Sequence, residues 1–281
     1  MHPARRLAIA AAERAGVADR IQAVRLKLLW PRDLVVRTPP PCPPGWRTGP
    51  PDYVGIGVQK AGTSWWHRAI TAHPRVYRTK LHKELHFFDQ GWHPDHAQEP
   101  EAYHLLFPRP PGSVTGEWTP DYLADFWFPR AIAQAAPAAR LLVMLRDPVA
   151  RFESGVTHTL AHGGRVHPIV AVQAEARGYY HRQLTSLLRH VPREQVLVLQ
   201  YEQVRDDPAP HLAATYRFLG LDDDFVPEDF NSRVNENPGP RYRLGDDQRR
   251  QLTEVYADDV AALARDFPEV DVARWKHFAR L

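Results

Sequence analysis

Lys60, Arg146 and Glu84 are the residues whose types and settings could do chemistry. Lys60 lies in the run Gly55-Ile56-Gly57-Val58-Gln59-Lys60-Ala61-Gly62-Thr63-Ser64-Trp65. A short apolar alternation of Val54, Ile56 and Val58 leads into it, and a stretch that can be helical follows as far as Pro74. A strand, a glycine turn and a helix N-terminus together make a cradle of backbone N–H groups suited to a phosphate. The spacing nearly matches a nucleotide-triphosphate loop, with Gly57, four residues, Gly62 and a hydroxyl pair in order. Thr63 stands where that motif requires lysine, and the lysine has moved back to position 60. A triphosphate-hydrolysing loop needs its lysine on the β- and γ-phosphates and its hydroxyl on Mg²⁺. This loop reads instead as the holder of one 5′-phosphate, with Lys60 near the bridging oxygen.

Arg146 and Ser154 supply a second anion site. The run from Leu141 to Leu145 is continuously apolar, as expected of a strand buried on both faces of a parallel sheet. It ends in Arg146-Asp147-Pro148, where a helix can begin with Pro148 in its first turn. The guanidinium would offer a charged fork to a phosphate, and the Ser154 hydroxyl a single neutral donor. Two phosphate sites on successive strand–helix units suggest a nucleotide phosphorylated at both ends of its ribose.

Each residue has a plainer reading when taken alone. A Gly-Thr-Ser turn before a helix is usually a cap. Ser154 would be a helix-face serine, Arg146 a partner for Asp147 or a distant carboxylate, and Glu84 a solvated charge. Lys60 beside the turn and Arg146 at a strand end favour phosphate binding. His82, His86 and His93 invite a zinc reading, but their 4- and 7-residue offsets do not make a ligand set and no carboxylate pattern completes one, so no metal is expected. A nucleotide kinase would need lysine directly before the loop hydroxyl and an acidic Mg²⁺ ligand ending another strand; the lysine is absent, and strand 141–146 ends in arginine. A non-catalytic nucleotide-binding protein of the same fold remains the other alternative.

These residues need a scaffold of alternating strands and helices. The pattern predicts strand 53–58, helix 63–73, a short strand near 76–79, then a loop carrying Glu84. Residues 90–112 hold prolines, histidines and few long apolar runs, which suits a substrate-side loop. A helix near 126–135 leads to strand 141–146 and helix 148–161, and a helix over 168–190 precedes strand 195–200. Helices near 208–219 and 246–265 complete the chain. The expected class is α/β, a P-loop-like three-layer fold with a central parallel sheet flanked by helices and phosphate sites at strand C-termini.

The motifs resemble those of sulfotransferases. Gln59 to Trp65 looks like their 5′-phosphosulfate loop, and Arg146-Asp147-Pro148 through Ser154 is similar to their 3′-phosphate motif. Lys83-Glu84-Leu85-His86-Phe87-Phe88-Asp89 closely resembles the segment carrying the catalytic base in the heparan sulfate branch. Val196 to Glu202 and Phe218 to Leu221 also match, so the resemblance covers about residues 53–275. It implies the donor 3′-phosphoadenosine-5′-phosphosulfate and no metal. It further implies Glu84 as general base, Lys60 neutralising the departing phosphate, and His86 and Asp89 supporting base or acceptor. Lys60, Ala61, Gly62, Thr63, Ser64, Trp65, Arg146 and Ser154 would hold the nucleotide, with Arg241 as a second contact to the 3′-phosphate. If the segment is extended, Glu84 and His86 point to one side and Asp89 to the other. Partial burial would raise the Glu84 pKa towards working pH.

Three departures bear on the acceptor. Gln59 and Ser64 stand where the heparan-modifying branch has arginines, and Trp118 replaces a lysine near its sulfonate. Fewer cations argue against a densely anionic polysaccharide, and Trp118 could stack on a sugar ring or an apolar aglycone. The acceptor would be a small molecule or a glycan- or lipid-linked hydroxyl.

Composition is compatible with one large α/β domain in a 281-residue chain. Cys42 is the single cysteine and cannot form an intrachain disulfide. Leu7 to Ala12 is too short for a signal-peptide core, so the expected location is cytoplasmic. Residues 1–50 carry nine Lys/Arg against three Asp/Glu, whereas the whole chain is only +3. The remainder is therefore net negative and is not a nucleic-acid-binding surface. Ala4 to Trp30 has a helical pattern that packs on the domain or lies on an anionic membrane as a peripheral contact. The expected organisation is a basic helical extension over 1–37, a proline-rich connector over 38–51 and a catalytic domain over 52–281. The oligomeric state is not readable from the sequence.

Overall fold

The computed structural model describes residues 38–79, 81, 83–89, 100–161, 168–228, 230 and 241–280. The basic extension expected over 1–37 lies outside the described residues. From Pro39 onward the chain forms one unit. The end of the proline-rich stretch is laid onto it: Trp46 meets Tyr77 edge-on at 4.9 Å, and Arg47 bridges to Arg109.

Four parallel strands make the central sheet in the order β2-β1-β3-β4. They are β1 (Tyr53–Gly57), β2 (Gly116–Trp118), β3 (Arg140–Leu145) and β4 (Val196–Gln200). All five residues of β1 and the last five of β3 are buried, because helices cover both faces of the sheet. β1 pairs Tyr53 with Gly116 on one side and with Arg140 on the other, and the register slips between Gly55 and Gly57. The irregularity falls where β1 gives way to the glycine turn.

Each central strand feeds a helix. α1 (Thr63–Ala72) follows β1, and α2 (Pro100–His104) and α3 (Phe128–Ala135) flank β2 in sequence. α4 (Pro148–Ala161) follows β3, with α5 (Pro168–Ala176) and α6 (Tyr180–Leu187) after it. α7 (Tyr201–Asp206) and α8 (Pro208–Leu219) follow β4, and α9 (Asp246–Asp266) comes last. No helix among the described residues is long and apolar enough to cross a membrane.

The structure departs from the sequence expectation in four places. The helix expected over 168–190 breaks between Ala176 and Tyr180. Gly178 is a poor helix former, and Tyr256 Oη donates to the Glu175 carbonyl at 2.8 Å near the end of α5. The strand expected at 76–79 reduces to one bridge, Val76 to Val114. β2 was not foreseen, since three residues carry too little periodicity to stand out. Within the expected loop 90–112, residues 100–107 instead include α2 and bury Tyr103, Leu106 and Phe107 in the core.

Candidate active site

The glycine turn after β1 sits at the C-terminal edge of the sheet. Gly62 has φ +82°, and a Cβ there would come within 3.0 Å of the Tyr201 ring, so only glycine fits without a shift. α1 then begins with no side-chain cap on its first turn, which leaves that turn's N–H groups suited to an anion. Ala61 and Thr63 are buried, while Lys60, Gly62, Ser64 and Trp65 are half-buried. Trp65 also holds its neighbourhood, donating from Nε1 to the Phe230 carbonyl at 2.8 Å.

Arg146, at the end of β3, joins this turn. Its Nη1 donates to the Lys60 carbonyl at 2.6 Å, and its guanidinium lies 5.0 Å from the Tyr201 ring centroid. Asp147 is engaged elsewhere. Its carboxylate accepts from the Val149 and Ala150 N–H groups at the start of α4 and contacts His277 Nδ1 at 2.7 Å. The ends of β1, β3 and β4 thus converge on Lys60, Arg146 and Tyr201. Burial pushes the Lys60 ammonium down to about 8, against the pull of Glu84 and Asp121. Ser154 is half-buried on α4, and Arg241 is exposed. The next residue, Tyr242, donates its N–H to Thr157 Oγ1 at 3.0 Å, one turn beyond Ser154.

The Glu84 segment is strung along residues 117–122. Trp118 N–H donates to the Lys83 carbonyl at 3.1 Å, and Leu85 N–H donates to Glu117 Oε2 at 3.1 Å. His86 N–H reaches Thr119 Oγ1 at 3.2 Å, and Phe87 N–H reaches Tyr122 Oη at 2.8 Å. These bonds hold His86 at φ +50°, a left-handed conformation that costs a non-glycine residue about 1–2 kcal/mol. The segment is therefore not extended, and Asp89 does not point away from His86 as strand alternation would require. Its buried carboxylate turns back to His86 Nδ1 at 2.7 Å. His86 Nε2 in turn lies 3.3 Å from Glu84 Oε2. A continuous Glu84–His86–Asp89 chain results.

Two expectations are overturned here. Burial does push the Glu84 carboxyl up, but His86 and Lys83 outweigh it and hold the group down at about 2. Glu84 is thus an ionised carboxylate at neutral pH, not one tuned towards it. Trp118 is fully buried and cannot stack on an acceptor. Its indole lies over Gly55, where a Cβ would come 2.0 Å from the ring, and Nε1 donates to the Gly57 carbonyl at 3.2 Å. The missing side chain at position 55 gives the indole room inside the core.

Sequence reasoning missed three members of the site. Lys83 Nζ contacts Thr63 Oγ1 at 3.2 Å, Ser64 Oγ at 3.1 Å and Glu84 Oε1 at 3.1 Å. Its place directly before Glu84 was the available signal. Glu117 is buried and accepts from Tyr103, Thr119, Tyr122 and Leu85, and burial pushes its carboxyl up to about 7 against those donors. Asp121 is buried and pairs with Arg177 Nε at 3.0 Å. One ligand atom from each of His86, Asp89 and Asp121 falls within 4.8 Å of the others, the only such group among the described residues. His86 and Arg177 already engage the two carboxylates. His82 and His93 lie outside the described residues.

The arrangement sets an anion cradle, with a lysine of lowered pKa, beside an ionised carboxylate backed by an imidazole. It can hold a phosphate-bearing donor and take a proton from a hydroxyl. Residues 50–236 match the model of a family described as "Sulfotransferase domain". Over 186 residues the chain is 32% identical to heparan sulfate glucosamine 3-O-sulfotransferase 3B1 of Mus musculus, covering 61% of this chain and 46% of that protein. It is 31% identical over 194 residues to heparan sulfate glucosamine 3-O-sulfotransferase 6 of Homo sapiens, covering 63% and 54%. The chain spans about half the length of these relatives. A crystal structure of a sulfotransferase from Alicyclobacillus acidocaldarius superposes with a TM-score of 0.64 at 26% identity, covering 80% of this chain and 98% of that one.

Proposed function

The chain belongs to the sulfotransferase domain family, and on that premise we propose that residues 52–281 transfer a sulfonate group from 3′-phosphoadenosine-5′-phosphosulfate to an acceptor hydroxyl. The donor supplies an activated sulfonate on a good leaving group. Gly62, Thr63, Ser64 and the first turn of α1 would hold its 5′-phosphate, and Arg146, Ser154 and Arg241 its 3′-phosphate. Glu84 accepts the hydroxyl proton as the acceptor oxygen bonds to sulfur. Lys60 neutralises the electron pair left on the phosphate oxygen when the bridging S–O bond breaks. His86, backed by Asp89, orients the Glu84 carboxylate and shares its charge.

The observation that carries this reading is the meeting of the two halves at Lys83, which touches the loop hydroxyls and Glu84 at once. A base held beside the phosphate cradle is what in-line transfer requires. The acceptor class stays broad, as saccharide, glycolipid or secondary metabolite. With Trp118 in the core, aromatic stacking gives no support to a sugar. Lys83 also restores a cation on the side where Gln59 and Ser64 supply none.

Calorimetric titration with adenosine 3′,5′-bisphosphate, 5′-AMP and ATP–Mg²⁺ tests the reading. Tight binding that needs the 3′-phosphate is expected. Preference for ATP–Mg²⁺ would overturn it.

A further inference from the structure

We infer that Lys83 is itself a catalytic residue, its ammonium holding the non-bridging oxygens of the sulfonate between phosphate loop and base. This rests on the sulfonate-transfer reading above. The transferred group must travel from the loop that binds the 5′-phosphate to the oxygen from which Glu84 takes a proton. Lys83 Nζ stands on that line, within 3.2 Å of Thr63 Oγ1, Ser64 Oγ and Glu84 Oε1. The neighbouring strand offers no cation there, because Trp118 is turned into the core.

The three contacts use all three N–H bonds of the ammonium, and two of them go to neutral hydroxyls. An anionic oxygen is the stronger acceptor and displaces a hydroxyl readily. Thr63 and Ser64 accept from Lys83 and keep their own O–H bonds, which can donate to the phosphate while Lys83 turns to a sulfonate oxygen. The two sides of the bond that breaks are therefore gripped together. The Lys83 side chain is only 17% exposed, and burial lowers its pKa, so the charged form gains most when an anion arrives. An ion pair formed only to restrain Glu84 would not need the two loop hydroxyls.

The test compares two nucleotides that differ by the sulfonate. Lys83→Ala and Lys83→Met are titrated with 3′-phosphoadenosine-5′-phosphosulfate and with adenosine 3′,5′-bisphosphate, without acceptor, and thermal melting checks the fold. Affinity for the sulfonated nucleotide should fall about tenfold more than affinity for the bisphosphate, and Lys83→Arg should recover most of the loss. Equal losses for both nucleotides, or no loss in either, would overturn the role and leave Lys83 a prop of the loop. If the unsubstituted protein binds neither nucleotide, or ignores the 3′-phosphate, the donor assignment itself fails. Lys83→Met keeps the aliphatic stem and serves if Lys83→Ala melts early.

Discussion

Around Lys60 the phosphate loop itself is one continuous turn, joined by Arg146 from the end of β3, whereas the backbone around Glu84 is held by partners 32 to 35 positions away. The first half is held by backbone geometry. A left-handed glycine, an uncapped helix start and a strand end suffice to make an anion cradle. The second half is held by buried polar side chains, with Glu117, Thr119 and Tyr122 fixing the backbone on which Glu84 and His86 stand. Binding a shared donor needs a cradle, whereas removing a proton needs a carboxylate held at one place. The two halves should therefore fail differently when disturbed.

The largest expected effect tests whether chemistry resides in the Glu84 half alone. Glu84→Gln should lower turnover about 10³-fold, within the range of general-base catalysis. Its affinity for adenosine 3′,5′-bisphosphate should change by less than about threefold. Unchanged turnover would remove Glu84 as base. A parallel collapse of nucleotide affinity would show that the halves are not separable.

Arg146→Ala probes the other half. Losing one charge-assisted contact to a phosphate costs about 2–3 kcal/mol, roughly 100-fold in affinity. The loss should appear for adenosine 3′,5′-bisphosphate and be small for 5′-AMP, since the guanidinium is assigned to the 3′ end. Equal weakening of both would instead make Arg146 a brace for the Lys60 carbonyl, which it also contacts.

The cradle also carries a pH signature. The Lys60 pKa in the nucleotide-free protein lies below its ordinary value, at about 8. The ammonium binds the anion and the neutral amine does not, so affinity is retained below about pH 8 and lost above it. Calorimetry should show the dissociation constant rising towards tenfold per pH unit on the alkaline side. Lys60→Arg, charged throughout, should flatten that limb. Glu84, held at about 2, contributes no limb near neutrality.

The same contrast explains what could be read in the sequence. β1, the turn, β3, α4 and α8 were legible because each carries its own signal over a few residues, as an apolar run, a glycine, a proline or a helical repeat. Lys60 and Arg146 were legible as types in a spacing, and Glu84 only through the family resemblance of its segment. The direction of Asp89 was not, since it depends on His86 adopting φ +50°, which distant donors impose. Trp118 was misread because its environment is set by Gly55 on the neighbouring strand. Glu117 looks like any acidic residue until Tyr103, Thr119, Tyr122 and Leu85 close around it. Local patterns thus reveal the glycine turn and its cation, and only tertiary contacts reveal what holds the proposed base.

Glu117 gives the smallest effect on turnover and the sharpest test of that support. Burial raises its folded pKa to about 7, above the ordinary glutamate value. The folded state therefore favours the protonated acid, and stability declines as pH rises from the ordinary range through about 7. The full shift corresponds to on the order of 3 kcal/mol, or about 6–12 °C in melting temperature for a domain of this size. Glu117→Gln should abolish that decline, because glutamine does not titrate. It should also cost about 1–3 kcal/mol at acidic pH, since an amide NH₂ then faces donors that a carboxyl oxygen had accepted. With Leu85 less firmly held, turnover should fall several-fold while nucleotide affinity stays unchanged. Melting curves at pH 5 and 8 for both proteins separate these contributions. If the pH dependence survives the substitution, another buried group supplies it; if nucleotide affinity falls with turnover, Glu117 supports the cradle as well as the base.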